Sequence, residues 1–162
     1  MALYQMQGAP ADSVQFKGND PITPLFLSNT LACGVATQFD FHTLTGTSDE
    51  VLEAKATECV KMGYKANFEW VSGQRFEVET FIQEGAATGI SGAIVWTDVP
   101  YSKSFTRDYN STNKDDSCAV VLPVEITSGR YYRLAAQMPS PADALDQVEL
   151  SARETSFWAE EL

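Results

Sequence analysis

The sequence predicts a mainly β protein: an antiparallel β-sandwich or barrel-like domain with one or two short helices and an extended N-terminal arm. Three observations carry that prediction. From Cys118 to Met138, Val120, Leu122, Val124 and Ile126 alternate with Val121, Pro123, Glu125 and Thr127, and then Tyr132, Leu134, Ala136 and Met138 alternate with Tyr131, Arg133, Ala135 and Gln137. Successive side chains of a strand point to opposite faces, so each run presents one apolar row. The same period returns from Asn67 to Ile82, with Phe68 and Trp70 before Ser72-Gly73-Gln74 and Phe76, Val78, Thr80 and Ile82 after it. Finally, aromatic residues make up 11% and charged residues 20% of 162 residues, a balance that suits sheets packed face to face. Thr127-Ser128-Gly129-Arg130 reads as a hairpin turn, because Gly129 supplies the positive φ of a tight connection. Each buried aliphatic side chain is worth about 1.5–3 kcal/mol before entropy is subtracted. The 118–138 hairpin is therefore expected at the centre of the core.

Taken in order, residues 1–24 differ from residues 25–162, which read as a single β-rich domain. Pro10, Pro21 and Pro24, with Gly8 and Gly18, exclude a long helix and a central strand. Leu3, Tyr4, Met6, Val14, Phe16 and Ile22 are nonetheless apolar, and a solvated tail has no use for them. The segment reads as an arm laid on another subunit, with these six side chains at the interface and its main chain added to a sheet edge.

Leu25–Leu31 and Gly34–Leu44 read as strands, with Val35, Phe39 and Phe41 on one face. Thr47-Ser48-Asp49-Glu50 has the form of a capping box. Beyond it Leu52, Ala56, Cys59 and Val60 share a helical face and Gly63 is placed to end it, which favours a helix over 51–62. Leu52, Ala54, Ala56, Val60 and Met62 also keep the strand period, so a strand stays open as the alternative. Ala93–Val99 reads as a strand and Ser102–Ser117 as a long polar loop. Ser140 and Pro141 fit the start of a short helix, with Leu145, Val148 and Ala152 inward. Ser156–Leu162 reads as a last strand, Phe157 and Ala159 pointing one way.

The charge bounds the function. Lys and Arg number 11 against 22 Asp and Glu, a net −11; binding to nucleic acid or an anionic membrane needs clustered bases, so neither is expected as a partner. Cys33, Cys59 and Cys118 are odd in number and far apart. They predict no disulfide framework and no zinc site, but small apolar core residues. No apolar run reaches the 18 residues of a membrane span, and the first six residues lack a secretory pattern, which points to synthesis in a cytoplasm.

Chemistry-bearing patterns are few. His42 is the single histidine, and no nucleophile elbow, phosphate loop or dinucleotide fingerprint occurs. Glu77, Glu79 and Glu69 read as a solvated face. No catalytic residue and no cofactor is predicted, and the chain is expected not to be an enzyme. Asp108, Asn110, Asn113, Asp115 and Asp116 form a weak candidate metal set: their oxygens suit Ca²⁺, but the glycine and the closing glutamate of a helix-loop-helix calcium loop are missing.

The arm Met1–Asp20, leading into Pro21-Ile22-Thr23-Pro24-Leu25-Phe26-Leu27 and an acidic β-rich body, resembles the head decoration (cement) proteins of tailed bacteriophages. The resemblance implies a structural protein on the capsid surface of a virion, made in the host cytoplasm. It implies a homo-oligomer, a trimer, that stabilises the shell by contacting the major capsid protein or another shell subunit. The alternative is a carbohydrate-binding β-sandwich module in which Trp70, Trp96 and Trp158, with Tyr101 and Tyr109, stack on sugar rings.

Overall fold

Period-two patterning governs the chain nearly throughout. The computed structural model describes residues 2–34, 37–89, 91–108 and 115–162, and only the backbone of Asp108 and Asp115. Among these are fourteen strands: β1 (Leu3–Gln7), β2 (Gln15–Lys17), β3 (Thr23–Leu25), β4 (Asn29–Cys33), β5 (Phe39–Thr43), β6 (Glu50–Ala54), β7 (Glu58–Ser72), β8 (Phe76–Thr88), β9 (Ala93–Asp98), β10 (Ser104–Asp108), β11 (Asp115–Ile126), β12 (Tyr131–Gln137), β13 (Gln147–Leu150) and β14 (Ser156–Glu161). They form two antiparallel sheets packed as a sandwich. In the first, β7 pairs with β11 on one side and with β14 and β13 on the other; β1 and β4 follow β14, and β2 follows β13. In the second, β8 pairs with β12 on one side and with β9 and β10 on the other. Beyond β12 lie β6 and β3, and β5 follows β6.

The two apolar rows of 118–138 do face the core, but not as a hairpin. β11 lies in the first sheet and β12 in the second, so the rows meet across the sandwich. The turn between them is a corner: Gly129 has φ 87°, its N–H donates to the Ala54 carbonyl at 2.7 Å, and the Arg130 carbonyl accepts from Ala54 N–H at 2.8 Å. The 67–82 segment behaves the same way, with β7 in the first sheet and β8 in the second. Alternation dictates which face is buried and leaves the partner strand open.

The arm is the largest correction. β1 pairs with β14 and with β4, so it is an interior strand of the first sheet. Tyr4, Met6 and Phe16 are 2–3% exposed in the chain's own core. The Tyr4 ring meets Phe39 of β5 edge-on at 5.3 Å and Phe41 at 6.3 Å across the sandwich, while Phe16 meets Phe68 at 5.9 Å. Leu3 and Val14 are half-buried, and Ile22 is exposed. The prolines fall between the strands or on an edge, Pro10 opening a single 3-10 turn and Pro24 lying in β3, so they fragment the segment without detaching it.

The helix favoured over 51–62 is β6 followed by the start of β7, because Val51, Leu52, Ala54, Val60 and Met62 all find buried positions that only a strand supplies. The short helix expected after Pro139 is replaced by a turn and β13. Among the described residues the helical elements are two 3-10 turns, Pro10–Asp12 and Ala152–Glu154. Part of the expected 102–117 loop is strand β10. Cys118 is buried as expected, whereas Cys33 and Cys59 are exposed; all three are free.

Two polar ties bind the sheets. Tyr64 of β7 is fully buried, and its hydroxyl lies 2.8 Å from the Thr80 carbonyl of β8 and 2.7 Å from that of Ser102. Burial pushes its pKa far above the ordinary tyrosine value, so the hydroxyl keeps its proton. Asp146, 5% exposed, caps the β7–β8 turn: Oδ1 accepts from Gln74 N–H at 2.8 Å and Arg75 N–H at 3.0 Å, and Oδ2 from Asp143 N–H at 3.0 Å. Burial alone would raise its pKa, but these backbone donors outweigh it and hold the carboxyl below its usual value.

Deleting residues 1–7 removes β1 and takes Tyr4 and Met6 out of the core. Loss of each large side chain costs about 2–5 kcal/mol, against a total stability of about 5–15 kcal/mol. The truncated chain is expected to lose its cooperative thermal transition by circular dichroism; a transition near that of the full chain would refute the placement of β1. Asp146→Asn is expected to cost about 1.5–3 kcal/mol at pH 7, the scale of hydrogen bonds to a charged group. Because the folded pKa is depressed, this stabilisation is present above the ordinary aspartate pKa and lost as pH falls through the folded value. Urea unfolding should therefore show the two proteins converging in acid. A difference that persists at low pH would contradict the charge-based account.

Candidate functional site: an acid-poor sheet face

The same alternation that sends Tyr4, Met6, Phe157, Ala159, Met62 and Tyr64 inward sends their neighbours to the outer face of the first sheet. Register then brings Leu31 of β4, Gln5 of β1, Trp158 of β14, Gly63 of β7 and Val121 of β11 into one row across five strands. At about 4.8 Å between strands the row is roughly 19 Å wide. The Trp158 ring lies flat on Gly63, where any β-carbon would collide with it; that close approach is why the position is glycine. Leu31 is 51% and Val121 58% exposed.

The rows on either side are similar in character. One runs Cys33, Leu3, Glu160, Lys61, Pro123, and the other Asn29, Gln7, Ser156, Lys65, Ala119. The charges in the three rows are Glu160, Lys61 and Lys65, and Glu160 pairs with Lys61 at 2.9 Å. In a chain of net charge −11 these three rows carry a small positive excess. The outer face of the second sheet is the reverse, with Glu53, Glu77, Glu79 and Asp98 pointing out. β11 closes the acid-poor face with a free edge along its C-terminal half, and Pro123 removes a donor there that would invite strand addition.

The other sequence-derived candidates scatter. Asn110 and Asn113, with Tyr109, lie outside the described residues, as do the side chains of Asp108 and Asp115. Asp116 is described, and its Oδ1 accepts from Ser117 N–H. No metal-binding cluster occurs among the described residues. His42 stands 3.6 Å from Glu53 and stacks on Tyr131 at 4.8 Å. Glu77 and Glu79 of β8 are paired with Arg107 and Lys103, while Glu69 lies on the other sheet. The tryptophans do not share a platform. Trp158 lies on the outer face of the first sheet, Trp96 on that of the second, and Trp70 packs against the core with its indole N–H donating to Gly73.

A cleft of about 360 Å³ opens between the β9–β10 turn and β11, lined by Glu84, Asp98, Tyr101, Pro123 and Glu125 among others. Glu84 is committed there to Arg130 and to the Tyr132 hydroxyl, which donates to it at 2.7 Å. Burial, reinforced by that hydrogen bond, holds Tyr132 protonated well above the usual tyrosine pKa.

No protein-family model matches the chain, and no curated protein sequence does. Solved structures do. Eiger TNF from S. frugiperda superposes with a TM-score of 0.59 and 14% identity, covering 99% of this chain and 91% of that one. Murine APRIL at pH 5.0 gives 0.57 and 10%, covering 99% and 98%. At such identities the likeness shows the fold: a jelly-roll β-sandwich of the TNF type. It overturns the resemblance to phage head decoration proteins. That resemblance rested on a detached arm, and the likeness to the TNF-type neighbours spans 99% of the chain, with residues 3–7 forming a strand inside the sandwich. The acid-poor face was hidden from sequence because it depends on register across five strands distant in the chain; the one local signal is Gly63 in an otherwise bulky strand.

Proposed function

We propose that this chain is a non-enzymatic β-sandwich binding module that works as a homo-oligomer, joined through the outer face of the first sheet. The row Leu31–Gln5–Trp158–Gly63–Val121 carries the reading. It combines an aromatic ring and two exposed aliphatic side chains, and in it and the two rows beside it Glu160 is the one acid, the composition of an interface core. Charge favours the same face. Copies of a chain at −11 repel one another, and contact through a patch of small positive excess brings the least like charge together.

Analytical ultracentrifugation of the chain at tens of micromolar is expected to give an integral multiple of 17.8 kDa above one. Leu31→Arg with Val121→Arg should give the monomer with an unchanged circular dichroism spectrum. Val95→Arg, at an exposed position of the second sheet, should leave the assembly intact. A monomeric parent, or a double variant as assembled as the parent, would overturn the proposal.

A further inference from the structure

Bases are scarce in this chain, and five of the eleven meet acids among the described residues. Lys55 meets Glu53 and Asp40, Lys61 meets Glu160, Lys103 meets Glu79, Arg107 meets Glu77, and Arg130 meets Glu84. Arg133 is held differently, by aromatic rings and an amide. It points outward from β12 on the second sheet, half-buried, with its guanidinium carbon 3.8 Å from the centre of the Trp96 ring and 6.0 Å from that of Phe26. Trp96 is itself pressed onto Gly85, where a β-carbon would come within 2.8 Å of the ring. The guanidinium thus sits over one aromatic ring with a second nearby, a favourable place for a cation.

Its hydrogen bonds leave one edge open. Nε and Nη2 both donate to Gln83 Oε1, at 3.1 and 3.0 Å, and Gln83 Nε2 in turn donates to Asp98 Oδ1 at 3.1 Å. The acceptor is a neutral amide, so the charge stays uncompensated, and among the described residues Nη1 has no acceptor. Burial with no charge to offset it pushes the Arg133 pKa down to about 10. The Nη1–Nη2 end of a guanidinium matches the two oxygens of a carboxylate by paired hydrogen bonds.

We propose that Arg133, set over Trp96 with Phe26 nearby and oriented by Gln83, is a carboxylate-binding subsite on the outer face of the second sheet. Asp98, one hydrogen bond beyond Gln83, disfavours a polyanion and leaves an isolated carboxylate as the ligand. The site lies on the sheet opposite the proposed oligomer face and remains open when that face is covered.

The test follows the Arg133 Nε–Hε and Trp96 indole N–H resonances of the full chain in ¹H–¹⁵N NMR, during titration with sodium acetate or with a capped Gly-Glu-Gly peptide. Sodium chloride at equal ionic strength is the control. Both resonances should shift saturably with either carboxylate and not with chloride. Peptide binding at least tenfold tighter than acetate would assign the subsite to a partner's acidic side chain, and equal affinity to a free small acid. Arg133→Lys keeps the charge but loses the fork, and should weaken binding tenfold or more. Gln83→Glu with Asp98→Asn supplies an internal carboxylate and should abolish the response with the fold retained. Shifts that chloride reproduces, or unchanged binding in either variant, would overturn the proposal.

Discussion

The two ends of the chain are held together by a main-chain ladder in the middle of the first sheet, and the rest of the structure depends on it. β1 pairs with β14 from Leu3 opposite Glu160 to Gln7 opposite Ser156, and β14 pairs with β7 from Ser156 opposite Lys65 to Glu161 opposite Val60. Without β1, β14 would present an open edge. Tyr4 could not reach Phe39 and Phe41, and the second sheet would lose part of what it packs against. The ladder also sets the register that lines up Leu31, Gln5, Trp158, Gly63 and Val121 on the outer face. A core requirement and a surface feature come from the same hydrogen bonds.

Much of the fold is legible in sequence, and the limits have physical causes. The inward rows of β11, β12, β7 and β8, and the directions of Phe157 and Ala159, follow from a period of two. Which strand pairs with which does not, because a short glycine turn such as 127–130 serves a hairpin or a sheet-to-sheet corner equally well; Gly129 decides the matter only through its bond to Ala54, far away in sequence. Over 51–62, a capping pattern and a strand pattern coincide. The strand prevails because its tertiary neighbours bury Val51, Leu52 and Ala54 on both faces, something local propensity does not record. In residues 1–24 the prolines were the misleading signal: they limit strand length to three to five residues, and strands that short still pair with a longer sheet already in place.

The centres of the two outer faces differ in chemistry. At its centre the first sheet turns outward an aromatic ring, aliphatic side chains, amides, Lys65 and one ion pair, with Glu69, Glu149 and Glu125 toward its margins. The second turns outward Glu53, Glu77 and Glu79 with their paired bases, and one arginine whose hydrogen bonds among the described residues are to an amide. That division suits a protein that meets its own kind through one face and a ligand through the other. Its origin is positional: on each sheet the outward residues alternate with the core residues, so neither face is constrained by packing and each is free to carry a different chemistry.

Native-state hydrogen exchange of the full chain tests most directly the claim that the N-terminal strand is built into the sandwich. The amides of Tyr4 and Met6 should be protected to the same order as those of Phe157 and Ala159 in β14, and should lose that protection together with them as denaturant is raised. Exchange of residues 3–7 at the rate of an unstructured peptide, with β14 still protected, would contradict it.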